Sequence, residues 1–332
     1  MIAAPGVWSE FLSDDEVSAA LPALARSVSR LHLSVVVDRI DDPGFARLTR
    51  AATALGIDVY LWLLFPVGGG YWIGEHNARE LPAVVDRLVD LRSARDGLVF
   101  RGVSFDLEPG YAYAEALRKA SLPNKVRTLL QHVEPSEFVE ARRHLVEAVR
   151  CLHRHDLRAH ATGFPVVLDD ESESRVLEDA LDTPISDVDW DEVSFMVYQT
   201  AFAELAGTWF GPALVASYAR SAVQRFGDRA GLDLGVVGSA ALGLGAGHRY
   251  PDVAALAADL AAATGAGIPL ERIRVYGLAG VLEQGGPERW FARRPASTLP
   301  ATTREVRGLR ATMSLLSALL KAGTCSRARS SW

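Results

Sequence analysis

Eight short runs rich in apolar and β-branched residues alternate with helix-period segments along 332 residues, and this predicts an α/β fold of the (β/α)8 TIM-barrel class. Two observations add to the count. The length suits one such barrel, whose usual size is about 250 residues plus insertions. The Gly-x-Gly-x-x-Gly that opens the first helix of a doubly wound dinucleotide fold is missing. No linker or composition shift divides the chain. Residues 1–322 therefore read as a single barrel domain with an enlarged excursion at about 110–155, and residues 323–332 as a short basic tail.

Gly6-Val7-Trp8 reads as the first strand, and Ser13-Asp14-Asp15-Glu16 as a capping box that starts a helix running to about Ser29. Residues 31–38 (LHLSVVVD) form the second apolar run, followed by a helix over 43–55 that Gly56 stops. Residues 57–66 (IDVYLWLLFP) are almost continuously hydrophobic, as in a strand buried on both faces, and Gly68-Gly69-Gly70 turns it into a loop. A helix over about 78–92 leads to the fourth strand, 101–109 (RGVSFDLEP). The excursion after it carries helical patterns at 113–120 and 137–154. The fifth strand is 157–165 (LRAHATGFP), with a helix near 173–181, and the sixth is 193–199 (VSFMVYQ), with a helix near 212–226. The seventh is 234–239 (LGVVGS), with a helix near 251–264. The eighth is 273–277 (IRVYG), followed by a short segment at 287–291 and a helix at 303–320 begun by the box Thr302-Thr303-Arg304-Glu305. Gly243, Gly245 and Gly247 lack the Lys-Ser/Thr of a phosphate loop and read as a flexible loop, so no cofactor is implied.

A formal charge of -6 and a pI near 5.8 give no general attraction to nucleic acid or to an anionic membrane, whereas a sugar-like ligand is readily accommodated. Cys151 and Cys325 lie far apart in sequence, in no metal-type spacing, so neither a disulfide framework nor a metal site is indicated. The start has no basic n-region or apolar h-region, and no run reaches the ~18 apolar residues of a membrane span. As written the chain reads as cytoplasmic, or as secreted if a leader is missing from it.

The fourth strand carries the chemistry. Val103, Phe105 and Leu107 alternate with Ser104, Asp106 and Glu108, so one face is apolar and the other acidic. With the apolar face packed on helices, the acids look into the barrel near the strand's C-terminal end, just before Pro109-Gly110 breaks it. Residues two apart sit roughly 6.6 Å apart along a strand, and their side chains can approach to about 5 Å. At an effective dielectric near 20 that repulsion is on the order of 3 kcal/mol, about 2 pKa units, enough to keep one acid protonated near neutral pH.

Barrel enzymes work at the C-terminal ends of their strands. Those ends here offer Trp8, Asp38, Trp62, Asp106 with Glu108, His160, Tyr198 with Gln199, and Tyr276. Flat rings with carboxylate, amide and hydroxyl groups suit a carbohydrate pocket.

The segment Phe100-Arg101-Gly102-Val103-Ser104-Phe105-Asp106-Leu107-Glu108 resembles the fourth-strand signature of family 18 glycoside hydrolases, the chitinases and endo-β-N-acetylglucosaminidases, whose pattern is Asp-Gly-x-Asp-x-Asp-x-Glu. Met196-Val197-Tyr198-Gln199 resembles that family's sixth-strand Met-x-Tyr-Asp. The resemblance implies that Glu108 is the acid/base, that Asp106 orients the 2-acetamido group of the substrate, and that Tyr198 hydrogen-bonds its carbonyl. It implies a substrate-assisted, retaining mechanism in which the acetamido oxygen is the nucleophile. Arg101, Ser104 and Gln199 depart from the pattern, replacing acids. Gln199, Trp8, Trp62, His160 and Tyr276 complete the candidate substrate-binding set. Two other readings stand beside this one. A glycosidase independent of the acetamido group needs a second carboxylate, for which Asp38 or Glu75 is available. A non-catalytic carbohydrate-binding barrel fits the incomplete motif. A metal-dependent enzyme using Asp106, Glu108 and His160 is a remoter option.

Overall fold

A computed structural model describes residues 4–170, 174–238, 249–292 and 296–330. Eight parallel strands close into a barrel in chain order: β1 (Gly6–Ser9), β2 (Arg30–Val36), β3 (Asp58–Leu64), β4 (Gly102–Leu107), β5 (Arg158–Gly163), β6 (Glu192–Met196), β7 (Ala230–Gly235) and β8 (Ile273–Tyr276). β8 returns to β1 with Tyr276 opposite Trp8. This is the (β/α)8 barrel that the sequence predicts. The helices between the strands are α1 (Asp14–Ser27), α2 (Pro43–Ala54), α3 (Leu81–Ser93), α4 (Tyr111–Lys119), α5 (Leu122–His132), α6 (Pro135–Arg154), α7 (Val176–Ala180), α8 (Gln199–Ala206), α9 (Pro212–Phe226) and α10 (Val253–Gly265). After β8 come α11 (Leu278–Glu283), α12 (Pro287–Phe291) and α13 (Arg304–Ser330).

The strand pattern explains the layering. Outward residues such as Val7, Leu31, Leu61, Val103, Phe105, Ala161, Val193, Leu232 and Val275 are fully buried under the helices and form one continuous apolar shell. At the start of α1, Ser13 and Glu16 form the expected reciprocal cap, and Gly56 adopts φ +80° just beyond α2, where only glycine is unstrained. The excursion after β4 holds three helices, α4, α5 and α6, because Ser121-Leu122-Pro123 and Glu134-Pro135 each restart a helix.

Two boundaries differ from the sequence reading. The seventh strand is Ala230–Gly235, four residues earlier than the apolar run, since Asp233 turns inward and interrupts the hydrophobic pattern. The last helix runs on to Ser330, through the residues read as a tail. Gly323 lies against Leu130 of α5 closely enough that a Cβ there would come within 2.6 Å of Leu130 Cδ2, and Ser317 hydrogen-bonds Asp170 at 2.5 Å. Its N-cap is Thr303, whose Oγ1 accepts from Val306 N at 3.3 Å. Gly243, Gly245, Gly247 and Ser239 lie outside the described residues. Among the described residues no helix is long and apolar enough to cross a membrane.

The inward residues are unusually polar. Arg274, fully buried, reaches Asp233 Oδ1 through Nε at 2.8 Å and Glu192 Oε1 through Nη1 at 2.5 Å, while Arg30 Nη1 binds Glu192 Oε2 at 2.6 Å. Two cations thus balance two anions across the barrel floor, the arrangement that makes buried charge tolerable. Gly231 leaves the space they need. A Cβ there would fall 2.8 Å from Arg274 Nη2 and 2.9 Å from Glu192 Oε1. Asp233 also accepts from Trp8 Nε1 at 2.9 Å, from Thr162 Oγ1 at 2.7 Å and from Ser194 Oγ, so it ties β1, β5, β6, β7 and β8 together. Replacing Arg274 by Leu removes the cation shared by Asp233 and Glu192 and leaves Asp233 with neutral donors alone. It is expected to lower unfolding stability by about 3–5 kcal/mol, read as a shifted urea midpoint.

Candidate active site

Above this floor, at the C-terminal ends of the strands, one cavity of about 410 Å³ opens. Asp106, Glu108, Tyr198, Trp8, Trp62 and Tyr276 all line it, so six of the residues singled out in the sequence converge. Glu10, Trp72 and Tyr111 line it as well.

The two acids owe their position to a second backbone clamp. β3 pairs with β4 only as far as Ser104, and beyond that Ile73 takes over, its N–H donating to Asp106 O and its C=O accepting from Glu108 N, both at 2.9 Å. Gly74 allows this close approach, since a Cβ there would lie 2.9 Å from Glu108 O. The loop after β3 therefore fixes the strand end that carries both carboxyls. Asp106 is 3% exposed, and its Oδ1 has no hydrogen-bond partner among the described residues. Trp62 Nε1 is likewise unpartnered. A buried acceptor and a buried donor in one cavity wall are places for a ligand's polar groups to bind.

Crowding sets the protonation. Burial, then the charges of Glu108, Glu10 and Asp233, push the Asp106 carboxyl well above the ordinary range. Burial and then Glu10 push Glu108 up to about 8, against the lowering effect of its hydrogen bond with Asp106. Glu10 is itself raised by burial, partly offset by the Tyr276 and Tyr71 hydroxyls that donate to it, the latter at 2.7 Å. Tyr198 stacks on Tyr276 with centroids 5.7 Å apart, and its phenol stays protonated through burial and the nearby carboxylates. At neutral pH the Asp106–Glu108 pair therefore retains protons, next to Glu10 and its two phenol donors.

Four of the residues singled out in the sequence, His160, Gln199, Asp38 and Glu75, lie outside the lining of this cavity. His160 is buried inside the barrel below the cavity, with Nε2 2.8 Å from Ser194 Oγ and Nδ1 3.2 Å from Ser104 Oγ. Burial, followed by the charge of Arg274, keeps it neutral, and it forms part of the packed interior. Gln199 is also fully buried; it opens α8 and points its amide away toward α10, donating to Asp259 Oδ1 at 3.2 Å. Asp38 is exposed on a short 3-10 turn, Val37–Arg39, outside the cavity. Glu75 belongs to a separate cluster, where burial and then Asp182, Asp179, Glu137 and Glu134 push it up to about 10. Neither Asp38 nor Glu75 shares the cavity lining with Glu108. The sequence reading missed Glu10, whose signal was its place two residues after Trp8, the same spacing that sets Asp106 and Glu108 on one face.

No family model matches the chain, and no curated protein matches it. Among solved structures it is similar to the class V chitinase from Pseudomonas fluorescens Pf-5, with a TM-score of 0.55, 15% identity, and coverage of 87% of this chain and 98% of that one. It is similar to the PgaB (BpsB) glycoside hydrolase domain from Bordetella bronchiseptica, with a TM-score of 0.50 and 14% identity over 90% of this chain and 99% of that one. The family 1 β-glucosidase from Thermotoga maritima gives 0.52 and 15% over 80% and 76%. At these identities the likeness is one of fold.

The raised Glu108 carboxyl makes a stability prediction with a definite sign. Unfolded, the group ionises near 4.5; folded, near 8, so between those values the native state holds the extra proton and its advantage shrinks as pH rises. This contribution is complete below about 4.5 and gone above about 8. Glu108→Gln is expected to flatten the decline in unfolding free energy between pH 5 and 8, measured by urea titration at each pH. A wild-type slope unchanged in the variant would place the proton elsewhere.

Proposed function

We propose that this barrel is a retaining glycoside hydrolase acting on glycans that contain N-acetylhexosamine, by the substrate-assisted route. The observation that carries the reading is the convergence of Glu108, Asp106 and Tyr198 on one aromatic-lined cavity, where burial and Glu10 raise the Glu108 carboxyl. Solved barrels of similar fold that include a chitinase and a glycoside hydrolase domain support it.

In this mechanism Glu108 gives its proton to the glycosidic oxygen as the bond from C1 to that oxygen breaks. The acetamido carbonyl oxygen of the same sugar bonds to C1 and forms an oxazolinium ring. Asp106 accepts from the acetamido N–H with its free Oδ1, which favours the carbonyl as nucleophile, and the Tyr198 hydroxyl steadies that carbonyl. Water then attacks C1, the ring opens, and the water's proton passes to the Glu108 carboxylate. Two displacements leave the anomeric configuration retained, with no enzyme carboxylate bonded to the sugar.

Glu10 favours a second reading, a two-carboxylate glycosidase independent of the acetamido group, because it lines the same cavity and raises both other acids. Its two phenol donors argue for a positioning role, since they hold it in place and lower its basicity.

One experiment separates the readings. On 4-nitrophenyl oligosaccharides of N-acetylglucosamine, Glu108→Gln is expected to lower kcat/KM by about 10²–10⁴-fold, and wild-type kcat/KM to fall as pH rises through about 8, where the acid loses its proton. Glucosides lacking the acetamido group are expected to be inert. Their turnover, abolished by Glu10→Gln, would transfer the assignment to the two-carboxylate reading. Unchanged turnover in Glu108→Gln would end both, and binding without any product would leave a carbohydrate-binding barrel.

A further inference from the structure

The cavity is chemically lopsided. Its carboxylates and most of its rings come from the strand ends and the loop after β3, whereas the opposite wall comes from the excursion and from the segments after β5, α7 and β6. That wall is built from Leu117 of α4, Leu129 of α5, Phe164 and Val166 after β5, Leu181 after α7, and Phe202 of α8. All but Leu129 are half-buried, keeping apolar surface open. The charged residues on this side, Glu115, Arg118 and Lys125, belong to α4 and α5, where Arg118 is engaged by Glu115 at 3.4 Å. Among the described residues, the segments after β5 and α7, and α8 itself, contribute no charged side chain to the lining.

A second sugar ring laid against such a wall would lose water from its hydroxyls with little to replace it, at a cost for each unpaired group. An apolar group loses nothing polar and gains by burial. We infer that this wall is a subsite for an apolar aglycone, so that the preferred substrate is a single amino sugar joined to an alkyl or aryl group rather than an extended polysaccharide. The inference rests on the glycosidase reading for the identity of the sugar, and it narrows that reading by placing an apolar leaving group where a polymer would continue. The wall is continuous with the cavity that holds Asp106 and Glu108, so the aglycone and the bond to be broken share one enclosure.

The test compares octyl with methyl N-acetyl-β-glucosaminide, below the micelle concentration of the octyl compound. Binding is measured by calorimetry to Glu108→Gln, and turnover is measured with the wild type. The octyl compound is expected to bind about fiftyfold tighter, the gain from burying about three of its added methylenes. Leu117→Gln and Phe202→Gln, on separate helices and each half-buried, are both expected to bring the octyl-to-methyl ratio down toward one. A ratio near one in the parent, with methyl glycoside hydrolysed, would overturn the aglycone subsite and leave the hydrolase reading intact. A large ratio that both wall variants reduce, with neither compound hydrolysed, would keep the subsite and remove the hydrolase. A large ratio that neither variant reduces, or no binding of either compound, would overturn the subsite.

Discussion

Asp106 sits in the barrel mouth with Glu108 and Glu10 beside it and Asp233 beneath it, and four acids in so small a volume cannot all be ionised without compensation. The structure divides them by depth. Asp233 is compensated below by Arg274 and by three hydrogen-bond donors, so its charge is held in the floor. The upper three have no cation among their hydrogen-bond partners in the described residues, and burial and crowding raise Glu108 into the neutral range. A carboxyl raised into the neutral range follows from the geometry of the ring of strands, because parallel neighbours direct every second side chain into the barrel interior.

The same arrangement accounts for two of the departures from the family 18 pattern. Ser104 lies between His32 Nδ1 at 2.8 Å and His160 Nδ1 at 3.2 Å, and His32 in turn stacks on Tyr60 with centroids 5.1 Å apart. A serine hydroxyl can both donate and accept, so it fits between two neutral imidazoles without adding a charge. Gln199 faces Asp259, which burial lifts to about 7 even as Tyr250 and Gln199 hydrogen-bond to it. An acid at position 199 would confront a second buried carboxyl, whereas an amide donates to it. These replacements lie outside the cavity lining and leave Asp106, Glu108 and Tyr198 around the space a substrate would fill.

Much of the fold was legible because strand and helix periods differ. The outward apolar residues of β3 and β4 and the capping box at Ser13 announce themselves locally, and the count of alternating elements then gives the closed ring. The acid pair was legible for the same reason, since Asp106 and Glu108 share the parity of Ser104 against Val103, Phe105 and Leu107. Legibility failed where the interior is polar. Asp233 broke the apolar run, so the seventh strand was read as starting at Leu234, and Glu10 was passed over because the first strand seemed to end at Trp8. His160 looked like a mouth residue because its depth depends on the register of β5 against β4, Ser104 opposite His160 and Asp106 opposite Thr162, which no single strand reveals. Gln199 was misplaced because the strand ends at Met196 and the chain has already turned into α8.

The central claim is that Glu108 keeps its proton at neutral pH, and the direct measurement is a carbon-13 NMR titration of the glutamate side-chain carboxyls. The account predicts a resonance with a midpoint near 8 that vanishes in Glu108→Gln and moves to lower pH in Glu10→Gln, where one crowding charge is gone. It remains distinct from the still higher titration of Glu75, which both substitutions leave in place. If the resonance lost in Glu108→Gln instead titrates in the ordinary carboxylate range near 4.5, the crowding does not hold the proton and the account fails.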